Sequence, residues 1–374
     1  MSNSFKFLII DTYYPNFLFS LYRKFAELEK ATYAAQRDFI MGQCFGTADF
    51  YSKNLNALGC EAEDIIANNE ILQRQWAAEN GLKQNASLLR RIANKLLFSK
   101  EVSPDQDILT ILEAQIKKVK PDVLYLQNLS YCPPDFLKRM KEYARFVVGQ
   151  IACPLPPREY LNNFDLILTS FPHYVERFRK IGIESEYFKI SFEPAILGKI
   201  DASDRNYSCT FVGGISHAHK KGMVLLEELA CKVEIAFFGY GAETLDKDSP
   251  ILPKHHGEVW GLDMYRSLMS SRITINRHID VAENYANNMR LYEATGCGAM
   301  LITDYKDNLD ELFEVGKEVV AYRTIDELIE LISYYSVNQD QREVIAKAGQ
   351  ERTLSEHTYY KRMGELIDII GNYI

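Results

Sequence analysis

Residues 287–304 read NNMRLYEATGCGAMLITD, which places a guanidinium and a carboxylate, Arg290 and Glu293, three residues apart. Three residues make about one helical turn, so both side chains lie on one face of a helix. Asn287 or Asn288 can cap that helix, leaving backbone N–H groups and the positive end of the dipole at its start. Such an end binds anions. Arg290 in the first turn adds a fork of donors that suits phosphate oxygens. Glu293, about 5 Å further along the axis, stands at the offset between a phosphate and its ribose, where a carboxylate can accept from both hydroxyls. The same spacing also suits a surface ion pair worth about 0.2–0.5 kcal/mol. On spacing alone both readings stand.

A second group of residues suits the same chemistry. In FVGGISHAHKKG, residues 211–222, an apolar strand ends in Gly213 and Gly214. Ser216, His217, Lys220 and Lys221 follow, with a helix expected to begin near Gly222. The stretch is neither a Walker loop nor a G-x-G-x-x-G fingerprint, so neither an NTPase nor a nicotinamide enzyme is indicated. Two lysines after a strand suit a diphosphate; a solvated turn is the plain alternative. FFGYG ends another strand in Gly239, Tyr240 and Gly241, and Val259 and Trp260 in GEVWG can stack a nucleobase. Asn276 and His278 close RITINRH at a strand's carboxyl end, where α/β sheets bind ligands. A core or surface histidine is the other reading of His278.

These residues need a scaffold, and the 374-residue chain supplies one with length for two domains. FKFLII reads as a buried first strand ended by Asp11, and residues 18–100 are mostly helical in pattern. Strand and helix then alternate through PDVLYLQ, RFVVGQIA and FDLILTS, as parallel, doubly wound sheets require. Residues 189–204 break the rhythm and read as a linker. The alternation resumes from YSCTFVGG onward, and the tail TYYKRMGELIDIIGNYI reads as an amphipathic helix able to pack back on the first half. The expectation is an α/β protein of two Rossmann-like domains facing a cleft, over 1–190 and 205–352, with residues 353–374 returning to the first.

Bulk composition narrows the function. Lys and Arg number 43 against 51 Asp and Glu, a net charge of −8, which argues against a broad nucleic-acid binder. Seven cysteines without a C-x-x-C pair read as reduced thiols of a cytoplasmic protein. The apolar run Phe7 to Ile10 is too short for a signal peptide or a membrane span, so membrane contact is expected to be peripheral at most.

Taken in order, strand-Gly-Gly, Lys-Gly, GEVWG, TINRH and NNMRLYEATGCGAMLITD resemble glycosyltransferases of the two-domain GT-B fold. Within these the chain is most similar to the spore-maturation-type group, with its N-x-R-x-x-E before a short glycine-ended helix and its TD strand end. The likeness is specific over about residues 205–365 and looser from 120 to 190. It implies that Glu293 holds the ribose of a nucleotide-sugar donor and that Arg290 with Lys220 or Lys221 holds the diphosphate. Broader sugar-nucleotide transferases carry E-x7-E, and Tyr285 stands at the first of those positions. The fold generally stabilises its leaving group with basic groups and a helix dipole, so neither cofactor nor metal is expected. Two D-x-D matches, Asp105–Asp107 and Asp246–Asp248, read as solvated turn acids.

An inverting enzyme needs a base for the acceptor hydroxyl. Asp11, at the end of the first strand, is the first candidate, with a turn role as its alternative, and His173 after LTSFP is the second. The acceptor would be a glycan, a lipid-linked sugar or a protein, at a bacterial cell surface. A sugar-nucleotide epimerase and a non-catalytic binding or scaffold subunit are the competing functions.

Overall fold

Parallel strands buried on both faces read as continuous apolar runs, and each needs a crossover before the next. The chain follows that rule throughout. A computed structural model describes residues 4–82, 104–201, 204–215 and 220–374, which form two compact units. The first comprises Met1–Thr169, Tyr174–Phe188 and Met363–Ile374, and the second comprises Ser170–His173 and Lys189–Arg362.

In the first unit, β1 (Lys6–Asp11), β2 (Glu61–Ile66), β3 (Val123–Leu126), β4 (Phe146–Ile151), β5 (Leu166–Thr169) and β6 (Ser185–Tyr187) form one sheet. Its order is β2-β1-β3-β4-β5-β6, with every pairing parallel. Phe7, Val123, Leu124, Val147 and Leu166 have no exposed surface. The helix Tyr359–Gly371 carries Met363, Leu366 and Ile370 fully buried. Just beyond it the Tyr373 hydroxyl donates to Glu186 at 2.9 Å, and its ring lies 6.0 Å from that of Phe146. The chain's end thereby packs on the first sheet, as its amphipathic pattern predicts.

The second unit holds β7 (Tyr207–Val212), β8 (Ala236–Phe238), β9 (Ser271–Asn276), β10 (Met300–Asp304) and β11 (Val320–Tyr322). They pair in parallel in the order β11-β10-β9-β7-β8. Ile273, Ile275, Met300 and Ile302 pack with Met223, Leu226 and Leu229 of the helix Lys220–Lys232 in its core. The stretch predicted as a linker is built into this unit. Phe192 and Ile196 are buried, and Phe192 exchanges backbone hydrogen bonds with His357 and Tyr359. A Cβ on Gly296 would come within 2.6 Å of the Phe192 ring, so the glycine that ends the helix Met289–Gly296 also makes room for this segment.

Candidate functional site

The second sheet changes direction beside β7. The chain passes from β7 to β8 on one side, then lays β9, β10 and β11 on the other. Crossovers on either side of such a switch point diverge and leave a crevice at the carboxyl ends of the strands.

The ends of β7 and β8 interlock there. Gly213 donates its N–H to the Phe238 carbonyl at 2.9 Å, and Ile215 donates to that of Tyr240 at 2.7 Å. A Cβ on Gly239, whose φ is +138°, would lie 1.8 Å from the Gly213 carbonyl oxygen. The close approach expected of these glycines is therefore, in this structure, that of one loop to the other. Gly214 faces the Tyr240 ring, which stacks on Trp260 with centroids 5.5 Å apart and planes within 12°. Val259 beside it is half-buried, and the Trp260 indole N–H donates to Glu258 at 3.3 Å. Ser216 and His217 lie outside the described residues. Lys220 opens the helix Lys220–Lys232 and Lys221 follows in its first turn; the placement of their side chains is likewise outside the description.

Arg277, which sequence reading did not single out, stands at that helix start. Its Nη1 is 2.9 Å from where a Cβ on Gly222 would sit, and its Nη2 donates to Asp280 at 2.7 Å. The signal was available: a cation placed between Asn276 and His278 at the end of a buried strand.

The entry into the helix Met289–Gly296 is tied from several directions. Asn288 caps it by accepting from the Leu291 N–H at 3.3 Å, and donates to the side-chain carbonyl of Asn276 at 2.9 Å. Asn276 donates in turn to Thr303 at 2.9 Å. Asn287 is buried with a φ of +145°, a conformation seldom held without surrounding support. Its side-chain oxygen accepts from the Tyr292 hydroxyl at 2.8 Å and from the Ile190 N–H at 3.3 Å, and its carbonyl accepts from Ser170 at 3.1 Å.

His278 completes this support. The Asn287 N–H donates to its Nε2 at 3.4 Å, which places the ring proton on Nδ1, donated to Asp304 at 2.7 Å. Burial alone would raise the Asp304 carboxyl, but hydrogen bonds from His278 and the charge of Lys306 at 3.3 Å hold it below the usual range. Both nitrogens of His278 are thus engaged inside the protein, on a side chain only 1 % exposed.

Arg290 and Glu293 pair with each other, Nη1 to Oε2 at 2.9 Å, with side chains 14 % and 6 % exposed. This is not the solvated pair that spacing alone allows. An enclosed ion pair must recover the cost of desolvating two charges, and this one is incompletely furnished. The Tyr265 hydroxyl reaches Glu293 at 3.4 Å, the Arg290 Nη atoms lie 3.4 Å from the Met264 sulfur, and the Arg290 Nε is buried without a hydrogen-bond partner among the described residues.

The two candidate bases occur in different units. Asp11 ends β1 in the first unit, accepting from the Thr12 N–H at 2.7 Å and from the Thr47 hydroxyl at 3.3 Å. Burial pushes its carboxyl up to about 6 against those two bonds. Asp64 on β2, opposite Ile9, is pushed by burial up to about 8, with Asp49 and Asp11 adding to the rise. It too was missed, because β2 reads EAEDII and nothing in that acidic run sets Asp64 apart from the exposed Glu61 and Glu63. His173 belongs to the second unit and lies between Phe171 and Tyr285, with ring centroids at 5.5 and 5.1 Å. Its Nε2 donates to the Val281 carbonyl at 3.1 Å, which makes Nδ1 the nitrogen able to take a proton. Of the D-x-D acids, Asp105 caps the helix Gln106–Val119 by accepting from Ile108 at 2.9 Å.

Comparison with solved structures decides the fold. Anabaena HepE in complex with UDP-glucose matches with a TM-score of 0.61 at 12 % identity, over 98 % of this chain and 100 % of that one. A glycosyltransferase from Rickettsia africae gives 0.56 at 12 % over 98 % of both chains. Sucrose-phosphate synthase from Thermosynechococcus elongatus gives 0.56 at 11 %, over 99 % of this chain and 100 % of that one. The fold is GT-B. Residues 223–368 also match the family described as glycosyl transferase-like, so the second GT-B unit carries the sequence likeness together with Arg277, Arg290 and Glu293. Comparison with curated proteins gives no match.

Proposed function

We propose that the chain is a glycosyltransferase that moves a sugar from a nucleotide-diphosphate donor to a hydroxyl acceptor. The observation that carries the reading is the enclosed Arg290–Glu293 pair one turn inside a capped helix start, at the switch point of the second sheet. A diphosphate at the helix start would meet free N–H groups, the dipole and Arg277, and would draw the Arg290 guanidinium toward it. Glu293 then has lone pairs for the ribose hydroxyls, and the Tyr240–Trp260 stack offers an aromatic surface to the base. These groups stabilise the departing diphosphate as the glycosidic bond breaks, with no metal in the proposed mechanism. Tyr285, which stacks on His173, stands where broader transferases place a glutamate, so the sugar is held here by other means. The first unit is assigned the acceptor, with Asp11 as the base; its raised carboxyl suits a proton acceptor working near neutrality. The narrower likeness to spore-maturation-type enzymes, a cell-surface glycan as product and a cytoplasmic location belong to the same proposal.

The test is a thermal-shift screen with UDP, GDP, dTDP, CMP and their sugars, because a ligand of the folded state stabilises it by mass action. UDP comes first, since Anabaena HepE has been seen with UDP-glucose. A sugar transferred to an acceptor supports the proposal. An epimerised sugar nucleotide, or binding without turnover, overturns it.

A further inference from the structure

At the other end of the second sheet, the amino ends of β7 and β9 and the helix Gln339–Glu356 border a cavity of about 360 Å³, within the size range of small-ligand sites. Arg205, Arg272 and Arg342 line it, with Asp204 and Glu343. No salt bridge joins any of the three arginines to a carboxylate among the described residues, although two acids share the cavity wall. The lining therefore carries three positive and two negative charges, and the charge of Glu343 acts on both Arg205 and Arg342 without an ion pair to either.

Two of the three arginines are held by backbone carbonyls. Arg342 is buried in the helix Gln339–Glu356 and donates from Nη1 to the carbonyls of Tyr335 and Ser336 at 2.7 and 3.3 Å. The rest of its fork has no hydrogen-bond partner among the described residues. Arg205 donates to the carbonyls of Ser271 and Gly298 at 3.3 and 2.5 Å. The exposed side chain of Arg272 makes no hydrogen bond or ion pair to any described residue. Burial, then the charge of Arg272 and, more weakly, of Arg205, press the Arg342 guanidinium toward losing its proton, against the opposing charge of Glu343. A fold gains nothing by gathering like charges around an open space, whereas a bound anion would relieve their repulsion. Arginine forks favour a tetrahedral oxyanion, which takes paired N–H donors.

We propose that this cavity binds a phosphoryl group, at a site separate from the nucleotide site at the carboxyl edge. Six residues of β9 divide the two edges, roughly 20 Å of extended chain. The inference does not depend on the proposed transferase activity.

Two probes separate the sources of such a group. Inorganic pyrophosphate, titrated by calorimetry at constant ionic strength, tests a soluble ligand. Co-sedimentation with phosphatidylglycerol vesicles, against phosphatidylcholine alone, tests a lipid headgroup. Either probe is expected to bind the full chain, with affinity at least about tenfold weaker in Arg272→Glu, where a charge-assisted contact becomes a repulsion. Pyrophosphate can also reach the diphosphate contacts proposed at the other edge, so Arg290→Met is expected to lose at most that second binding event and to keep the one that Arg272→Glu weakens. Arg272→Gln serves if the charge reversal fails to fold, since Arg272 holds no part of the backbone. Binding lost in Arg290→Met but kept in the Arg272 variants overturns the proposal, as does a wild-type chain that binds neither probe.

Discussion

Glu293→Gln separates a ligand contact from a structural ion pair, because the two roles predict different combinations of stability and affinity. The substitution keeps size and shape and removes the charge facing Arg290 at 2.9 Å. Removing one partner of a buried pair costs about 3–5 kcal/mol. The amide oxygen can still accept from the guanidinium, which returns about 1.5–3 kcal/mol. The expected loss is about 1–3 kcal/mol, or roughly 2–12 °C in the unfolding temperature of a unit this size. If Glu293 also holds the ribose, the folded variant loses charge-assisted bonds to the ligand, and its Kd for the nucleotide found by the thermal screen rises tenfold or more. A purely structural pair gives the same thermal loss with Kd unchanged. The double variant Arg290→Met with Glu293→Leu sharpens the contrast. Apolar replacements of buried pairs are often neutral or stabilising by about 1–4 kcal/mol, so stability should return while nucleotide binding stays lost. Calorimetry on both variants reads the outcome, and a double variant that binds as the wild type refutes the assignment.

Four further outcomes follow from the same structure. Asp11→Asn should lower turnover by about 10²–10⁴ while keeping nucleotide affinity, and wild-type activity should rise with pH through about 6, the value to which burial lifts this carboxyl; near-full turnover in the variant returns Asp11 to a turn role and leaves His173 or a baseless mechanism. Asp64 titrates near 8 in the folded chain against 3.8 unfolded, so its contribution is fully present below about pH 4 and lost as pH rises toward 8. Asp64→Asn should therefore gain stability over wild type between those values, on the order of 5 kcal/mol by pH 8, and denaturant titrations showing the same difference between variant and wild type at both ends of the window refute that burial. Nucleotide binding should survive EDTA in calorimetry, since the proposed phosphate contacts are cations and backbone N–H groups; binding that vanishes and returns with Mg²⁺ or Mn²⁺ refutes the metal-free mechanism. Gly239→Ala should cost about 3–5 kcal/mol through strain and overlap, read as loss of cooperative unfolding in the second unit, because its Cβ would meet the Gly213 carbonyl at 1.8 Å.

Local pattern made much of this protein legible. Phe7 to Ile10 announces a strand buried on both faces because no polar residue interrupts it, and Asp11 marks its end. Asn288 and Gly296 bracket a helix because a capping amide and a residue without a side chain are what its two ends require. The residues that escaped act through partners distant in sequence. Arg277 acquires its place from Gly222, Asp64 its raised carboxyl from burial beside β1, and Asn287 its positive φ from Ser170, Ile190 and His278. Apart from the contact between His278 and Asn287, no window of a dozen residues contains those relations.

The two edges of the second sheet show why some sites are readable and others are not. Topology brings the carboxyl ends of parallel strands to one edge together with the starts of the helices that follow them. A motif there can be contiguous, as NNMRLYE is: cap, guanidinium and carboxylate succeed one another along seven residues. At the amino edge each strand is entered from a different part of the chain, so residues meeting there need not be neighbours in sequence. Arg205, Arg272 and Arg342 are spread over more than a hundred residues and converge only because β7 pairs with β9 while the helix Gln339–Glu356 packs alongside. Each alone is an unremarked cation in a chain whose net charge is negative. Their gathering around one cavity without ion pairing becomes visible only once the sheet order is known, which makes the amino edge the place where this structure adds most to its sequence.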